Sequence, residues 1–328
     1  MSDLALALFA SETGAHLVSP PGHSRWRSFL RSFDEAAELG RLAEAGLRFL
    51  ARSAAEYPAR LASIHDPPAG LFLRGTSEPE LLSRPAVAVV GARACSGYGA
   101  AVARSLGREL AAAGLVVVSG LARGVDAEAH RGALEAGGVT VAVLGCGVDR
   151  DYPAAHAELA RRVAAAGLVV SEYAPGVEPA PWRFPARNRI IAGLSAATVV
   201  VEARERSGAL ITADLALEEG REVFAVPGEI TSSLSAGSNA LLRLGATPLI
   251  CSADVLASFG LEPATPPAAE VSQKARRLLE VLAATPAGAD ELARAAGTTA
   301  DETARALVEL ELAGLVATAD GVYRPCAG

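Results

Sequence analysis

The sequence predicts an α/β protein in which a doubly wound, mainly parallel sheet follows a small helical region and precedes a winged-helix-like domain. Six β-branched runs between Val87 and Ala257 each end in a Gly or Ser loop and alternate with helical stretches. This order is typical of parallel strands joined by right-handed crossovers. Apolar residues make up 51% of the chain and aromatic residues 5%, which suits helices packed on buried parallel strands.

The N-terminal region, residues 1–75, is predicted to be a small helical region with an atypical start. Residues 34–61 place Leu, Ala and Phe at spacings of three and four, the pattern of amphipathic helices. Residues 1–33, which include SPPGHSRWRS, lack this pattern and are not predicted to be helical. The segment HDPPAGLFLRG, residues 65–75, cannot continue a helix, and its apolar end predicts a short strand.

The sheet is predicted over residues 76–260. Its six strand candidates are VAVVGAR, LVVVSGLARG, TVAVLGCG, LVVSEYAPG, ATVVVEARERSG and EVFAVPGE. A linker rich in Pro and Ala follows at residues 261–270. Residues 271–328 show three helical stretches and two short strands that turn at residues 319–321, the element order of a winged helix.

The helix in the recognition position of this winged helix is acidic. Asp301, Glu302, Glu309 and Glu311 outnumber Arg305, and like charge repels DNA phosphates. We therefore expect this helix to pack or to contact protein rather than to read duplex DNA.

Charge and cysteine content exclude several classes of protein. The formal net charge of −7 argues against a surface coated in positive charge, although a local basic patch remains possible. The four cysteines show no CxxC spacing, so neither a zinc site nor a disulfide framework is indicated. The apolar stretch LALALFA is far shorter than a membrane span. We expect a cytoplasmic protein without a membrane span.

Glycine-rich loops are predicted to meet at one edge of the sheet, where ligands bind in open parallel sheets. The loop VVGARACSGYG matches neither GxGxxG nor GxxxxGK[ST], so signatures of hydride transfer and nucleotide hydrolysis are missing. Arg93, Ser119 and Arg123, with the backbone amides of these loops, are suited to holding phosphate oxygens. The alternative is that the glycines only permit tight turns.

Two further loops carry residues with alternative roles. Asp126 and His130 share a helix face and could form a metal or general-base pair, but without a third ligand a structural role at the helix start is favoured. Tyr152 could stack on a base, or could pack its ring while its hydroxyl bonds elsewhere.

The segment PWRFPARNRIIAGLS, residues 181–195, concentrates basic and aromatic side chains. Arg183, Arg187 and Arg189 flank Phe184 and Asn188. Arginines hold phosphates while aromatic and guanidinium planes stack bases, so the pattern favours single-stranded nucleic acid. The alternative is a solvated charged face, but no acid occurs from residue 181 to 201 that could pair locally.

Together these segments resemble the DNA-processing protein A family, DprA, also called Smf. The similarity runs in order from about residue 57 to 255 and includes SGLARGVDAEAHRGALEAGG, PWRFPARNRIIAGLS, VVVEARERSGALITADLALEEGREVFAVPG and GSNALLRLGA. The resemblance implies an extended Rossmann-like core that binds single-stranded DNA and dimerises. It also implies a protein that protects incoming DNA and loads the recombinase RecA during natural transformation, without being an enzyme.

The resemblance also implies site residues. The family's GSR-type loop is GAR here, its basic pocket falls on Arg123 and the arginines of residues 181–195, and its RSGALIT turn is present. With the glycine loops, the predicted DNA-binding set is Gly91, Arg93, Ser119, Gly120, Arg123, Gly145, Gly147, Tyr152, Arg183, Arg187, Asn188, Arg189, Ser207, Gly208 and Thr212. No catalytic residue, metal or cofactor is expected.

Two other functions are alternatives to this one. A phosphoribohydrolase-like enzyme acting on nucleotides would carry a PGGxGT-type loop, which is missing from the sequence. A transcriptional regulator would read duplex DNA with its winged helix, which the acidic recognition helix disfavours.

Overall fold

The structure is a computed structural model that describes residues 2–13, 23–263, 271–319 and 321–325. The chain forms two compact units, Met1–Pro263 and Ala264–Gly328. The first unit contains a nine-stranded sheet. Its strands are β1 (Leu47–Ala51), β2 (Gly70–Arg74), β3 (Ala86–Val90), β4 (Val116–Ser119), β5 (Thr140–Val143), β6 (Leu168–Ser171), β7 (Ala197–Val200), β8 (Glu222–Ala225) and β9 (Thr247–Pro248).

The sheet is doubly wound and mainly parallel, as predicted. Its strand order is β1-β2-β6-β5-β4-β3-β7-β8-β9, and only the pairs β1–β2 and β2–β6 are antiparallel. Strand β3 lies between β4 and β7, with Val87 opposite both Val117 and Ala197. All six predicted sheet runs form strands β3 to β8.

Helices cover both faces of the sheet. They are α1 (Asp3–Thr13), α2 (Trp26–Ser32), α3 (Glu35–Glu44), α4 (Ala59–Ala62), α5 (Gly97–Ala112), α6 (Val125–Glu135), α7 (Ala157–Ala166), α8 (Arg183–Leu194), α9 (Gly208–Glu218), α10 (Ala236–Arg243) and α11 (Ser252–Ser258). Because successive strand residues point to opposite faces, Val87 and Val89 enter the core beneath α5 and α6, whereas Ala88 and Val90 enter the core beneath α8 and α9.

Residues 1–33 were not predicted to be helical, and this expectation is wrong. Helices α1 and α2 lie there, although residues 14–22, including the start of SPPGHSRWRS, fall outside the described part. Helix α1 buries Leu4, Ala5, Ala7 and Phe9. A helix that is apolar around most of its circumference shows no amphipathic period, which hid it from the sequence pattern.

The helix predicted over residues 34–61 is also wrong in its middle part. Helix α3 ends before Gly46, which has a φ of +68° that favours glycine. Strand β1 follows and pairs antiparallel with β2, so the N-terminal region adds two strands to the sheet. The finer division of the chain at residues 75, 260 and 270 stays a prediction.

The second unit has its own apolar core, which includes Leu278, Leu282, Leu292 and Leu310. It contains the three predicted helices and two predicted strands, with one additional short strand that pairs with the last. The elements are α12 (Gln273–Ala284), β10 (Ala287–Gly288), α13 (Ala289–Ala296), α14 (Ala300–Leu312), β11 (Val316–Ala319) and β12 (Val322–Pro325). Asp320, in the predicted turn, lies outside the described residues.

Candidate nucleic-acid interface

A crevice opens where the chain leaves β3 and β7 in opposite directions. Helix α5 carries the chain from β3 toward β4, and α9 carries it from β7 toward β8, so the loops diverge beyond the carboxyl ends of these strands. A cavity of about 350 Å³ lies at this point. Seven predicted DNA-binding residues line it: Gly91, Arg93, Arg187, Asn188, Ser207, Gly208 and Thr212.

A second cavity of about 470 Å³ adjoins the first. Arg93, Phe184 and Arg187 line both cavities. The second cavity is also lined by four other predicted residues, Gly120, Arg123, Gly145 and Tyr152. We refer to the two cavities together as the strand-end groove.

Four predicted residues do not line the strand-end groove. Ser119 is fully buried and donates its hydroxyl to Val89 O at 2.7 Å, which ties β4 to β3. Gly147 is buried, and a Cβ there would lie 2.5 Å from Asp149 Oδ1 and 2.7 Å from Ala174 O, so glycine leaves room for these atoms. Arg183 contacts the rings of Tyr173 and Trp182, and Arg189 pairs with Glu172, so neither lines a cavity of the groove.

Arg187 is a structural cation at the base of the groove. It is 5% exposed, and its Nη1 donates to Gly120 O at 2.6 Å and to Val143 O. Its Nη2 lies 3.9 Å from the buried Asp126 carboxylate. A Cβ at Gly120 would lie 2.1 Å from this guanidinium, so the glycine makes room for it. Burial lowers the pKa of Arg187, and the charge of Asp126 opposes that change.

Arg189 is held in ion pairs on another side of α8. Its Nη1 and Nη2 donate to the two carboxylate oxygens of Glu172 at 2.7 and 2.6 Å, and its Nε lies 3.1 Å from Asp66 Oδ2. Burial alone would lower the pKa of Arg189, but the charge and hydrogen bonds of Glu172 outweigh burial and raise it. The acids that were missing between residues 181 and 201 are therefore supplied from distant parts of the chain.

Four exposed arginines surround the groove. Arg93 and Arg123 belong to the predicted set, whereas Arg204 and Arg206 were missed. Among the residues that the structure describes, no acidic side chain forms an ion pair with any of the four. The available signal for Arg204 and Arg206 was their position in the loop after β7, because ligands of open parallel sheets bind beyond the carboxyl ends of the strands, as was predicted for Arg93.

An aromatic stack forms part of the groove wall. The rings of Tyr152 and Phe184 are stacked with centroids 5.3 Å apart and an interplanar angle of 22°. The Arg93 guanidinium carbon lies 5.2 Å from the centroid of the Phe184 ring. The Tyr152 ring is 41% exposed, so it packs against a neighbour and still presents surface on which a base can stack.

The N-terminus of α9 is fixed at the edge of the groove. The Ser207 hydroxyl accepts a hydrogen bond from Ala209 N at 3.3 Å and caps the helix. The amide of Asn188 donates to Gly208 O at 3.0 Å, which ties this loop to α8. A helix N-terminus carries partial positive charge and free N–H groups, which adds to the attraction of the groove for phosphates.

The N-terminus of α5 is closed by an internal carboxylate. The buried Glu202 accepts hydrogen bonds from Ser96 N at 2.9 Å and from the Ser96 hydroxyl at 2.5 Å. A Cβ at Gly99 would lie 2.4 Å from Glu202 Oε2. Glycine at this position therefore makes room for Glu202.

Asp126 and His130 have separate structural partners. Asp126 accepts hydrogen bonds from the backbone N–H of Gly120 and Ala122, at 3.2 and 3.3 Å, and burial raises its pKa. The His130 ring bonds Thr140 through Nδ1. In the described ranges no group of three His, Cys, Asp or Glu side chains is placed to hold a metal ion.

Family models match both units of the chain. The model for DNA recombination-mediator protein A matches residues 48–260, and the model for the DprA winged helix domain matches residues 262–321. Over the described residues, no helix is long and apolar enough to cross a membrane.

Relatives and solved structures agree with these matches. A DNA processing protein DprA from Streptococcus pneumoniae is 49% identical over 207 residues, which are 62% of this chain and 71% of the relative. Protein Smf from Escherichia coli is 40% identical over 279 residues, 81% of this chain and 74% of that protein. The X-ray structure of DprA from S. pneumoniae superposes with a TM-score of 0.67 at 39% identity, covering 80% of this chain and 94% of that one.

DprA from Helicobacter pylori, whose structure is described as revealing a single-stranded DNA binding mode, has a TM-score of 0.57 at 32% identity. The match covers 62% of this chain and 92% of that one. The family groups DNA processing proteins, in agreement with the prediction of a protein that is not an enzyme. The chain belongs to the DNA processing protein A family, DprA or Smf.

Proposed function

We propose that this DNA processing protein binds single-stranded DNA in the strand-end groove. The observation that carries the proposal is the set of four exposed arginines, Arg93, Arg123, Arg204 and Arg206, around the Tyr152–Phe184 stack. Unpaired guanidinium groups attract phosphates, and exposed rings stack on bases. The two together match a single strand, because a duplex keeps its base faces stacked inside. The single-stranded DNA binding described for the H. pylori relative supports the same reading.

Binding of the strand would serve recombination. We propose that the protein protects incoming DNA and loads RecA onto it in natural transformation, acting in the cytoplasm. The description of the matched family as a recombination mediator supports this role. The described cysteines Cys95, Cys146 and Cys251 are free thiols, which fits a reducing compartment.

We further propose that the protein forms a homodimer through the Rossmann-like core. Strand β9 lies at the edge of the sheet. Leu244 and Ile250, which flank it in the chain, are 84% and 76% exposed. An unpaired edge strand beside exposed apolar side chains is typical of a surface that another chain covers.

The salt dependence of single-strand binding tests the groove assignment. With four arginines on four phosphates, at ~0.7 per contact, log K should fall with log salt at a slope of about −3. The double variant Arg93→Ala/Arg123→Ala should bind poly-dT oligonucleotides more weakly and reduce the slope by about 1.4. Fluorescence anisotropy of labelled oligonucleotides at several salt concentrations measures both quantities.

The matched control is Arg52→Ala/Arg60→Ala, which removes two exposed arginines that lie outside the groove. This control should retain the slope of the unmodified protein. If the control and the groove variant lose affinity equally, binding reflects overall charge and the assignment of the strand-end groove is wrong.

A further inference from the structure

The two tryptophans of the chain have opposite surroundings. Trp26 is 4% exposed and packs against Phe9, with ring centroids 5.0 Å apart. Trp182 is 49% exposed. Exposure of half of the largest apolar side chain is unfavourable for a free protein, because its apolar area remains in water. Such a side chain is typical of a binding site.

Trp182 is held in place by its neighbours. The Arg183 guanidinium carbon lies 4.9 Å from the Trp182 ring centroid and 5.0 Å from that of Tyr173. Tyr173 and Trp182 meet edge to face at 6.4 Å. Arg183 also donates Nη1 to Glu178 O, which fixes the guanidinium between the rings. A ring that is already ordered loses little conformational entropy when it binds a ligand.

Trp182 meets Tyr173 in the loop after β6, and β6 lies beside β5, whose following loop lines the second cavity of the groove through Gly145. Trp182 is the residue before α8, and Phe184, two residues later, lines both cavities of the strand-end groove. Two residues span at most about 7.6 Å between Cα atoms. Trp182 is therefore close enough to the Tyr152–Phe184 stack to contact a neighbouring nucleotide of the same strand.

Nearby acids do not oppose such a strand. Glu178 and Asp149 lie 2.8 and 4.0 Å from the guanidinium nitrogens of Arg150, which neutralises part of their charge. Arg183 is committed to the two rings and to Glu178 O. The chemistry that remains exposed at this place is therefore the indole surface rather than a free cation.

We infer that Trp182 is a base-stacking subsite for a nucleobase of the strand that leaves the strand-end groove. The inference rests on the proposed function and adds a second stacking site to it: the exposed arginines contact phosphates and Tyr152 contacts one base, while Trp182 contacts a further base outside the groove. Stacking on a ring tolerates any base, so the subsite adds affinity without sequence preference.

Tryptophan fluorescence and oligonucleotide anisotropy together test this inference. Poly-dT should quench the fluorescence of the unmodified protein, whereas an abasic strand of the same length should bind without quenching. In Trp182→Phe the remaining Trp26 is buried and its emission should not respond.

Trp182→Ala should weaken dT binding about tenfold, in the range for one stacked base, and leave the salt slope unchanged because no phosphate contact is lost. Leu217→Ala, an equally exposed apolar residue at the far end of α9, should bind as the unmodified protein does.

The outcomes separate the inference from the function on which it rests. If dT binds with the expected salt slope but neither quenches Trp182 nor loses affinity in Trp182→Ala, the stacking subsite is wrong and groove binding stands. Equal losses of dT and abasic binding in Trp182→Ala would likewise overturn base stacking. If anisotropy detects no binding of single strands at all, both the proposed function and the subsite fail.

Discussion

Three arginines of one short segment have three different fates. Arg187 is buried under the groove, Arg189 pairs with Glu172 and Asp66, and Arg183 stacks on aromatic rings. The sequence predicted a cluster of basic side chains. The partners that each arginine contacts depend on the face of α8 on which it lies. Arg187 shares the buried stripe of Ile190, Ile191 and Leu194, and this helical spacing was the available signal.

The burial of Arg187 predicts a stability role. Replacing it with Ala leaves Asp126 without its nearest counter-charge and leaves Gly120 O and Val143 O without their donor. Removing one partner of a buried ion pair costs about 3–5 kcal/mol. The free energy of unfolding, measured in urea, should fall by that amount in Arg187→Ala.

Exposed Arg123 provides the comparison for Arg187. Arg123→Ala should change the free energy of unfolding by less than about 0.5 kcal/mol while weakening DNA binding. An Arg187→Ala variant with unchanged stability and reduced DNA affinity would show that Arg187 is a phosphate ligand rather than part of the frame.

At the scale of elements, a chain of side-chain hydrogen bonds ties α6 to the sheet. Thr140 donates its hydroxyl to Val117 O at 2.6 Å, so it accepts from His130 Nδ1 at 2.7 Å. This places the proton of His130 on Nδ1 and leaves the buried Nε2 without a partner among the described residues. Burial lowers the pKa of His130 from 6.5 to about 3.

This lowered pKa predicts loss of stability in mild acid. The unfolded chain binds a proton at His130 below pH 6.5, whereas the folded chain does not until about pH 3. Above pH 6.5 His130 is neutral in both the folded and the unfolded chain. Below pH 6.5 the free energy of unfolding falls by about 1.4 kcal/mol per pH unit. Between pH 7 and 5 this group should cost about 2 kcal/mol.

His130→Gln isolates the contribution of the histidine. The amide of Gln can still donate toward Thr140, but it does not titrate. Urea unfolding at pH 7, 6 and 5 should show a flatter pH dependence in the variant than in the unmodified protein. Parallel curves for the two proteins would contradict a buried neutral His130.

The sequence predicts some elements better than others for physical reasons. Strands β3 to β8 are short β-branched runs bounded by Gly and Ser, and all were predicted. Helix α1 was missed because its apolar residues surround the helix axis. Strand β1 was missed because the residues after Gly46 keep the apolar spacing of the helix that precedes them. Arg204 and Arg206 could have been predicted from their position after a strand, as Arg93 was. The ion pairs of Arg189 with Glu172 and Asp66 could not, because these residues are distant in the sequence and meet only in the folded chain.

At the scale of the whole molecule, the two units predict a separable winged helix. Residues 264–328 have their own core, and the groove lies entirely in residues 1–263. In α14, Glu302 pairs with Lys274 and Asp301 with Arg305, which leaves little positive charge for phosphate. Ending the chain at residue 263 should therefore preserve single-strand affinity within about twofold, since no groove contact is lost.

Duplex binding by the full chain and the shortened chain completes this comparison. Weak duplex affinity that is equal in both would agree with an acidic winged helix that does not read DNA. Duplex affinity that disappears with residues 264–328 while single-strand binding persists would support the regulator hypothesis instead.

The carboxylate of Glu202 at the start of α5 affects which anions can bind at this helix N-terminus. The helix after the central strand is where doubly wound proteins seat the pyrophosphate of a dinucleotide. Here Glu202 supplies the anion from within the chain, and Ser96 is already engaged by it. The Glu202 carboxylate is part of the chain and does not dissociate into solution. A free nucleotide could bind at the start of α5 only by displacing this carboxylate. The N-terminus of α5 is therefore held by a carboxylate of the chain itself, whereas the N-terminus of α9 lies at the edge of the strand-end groove.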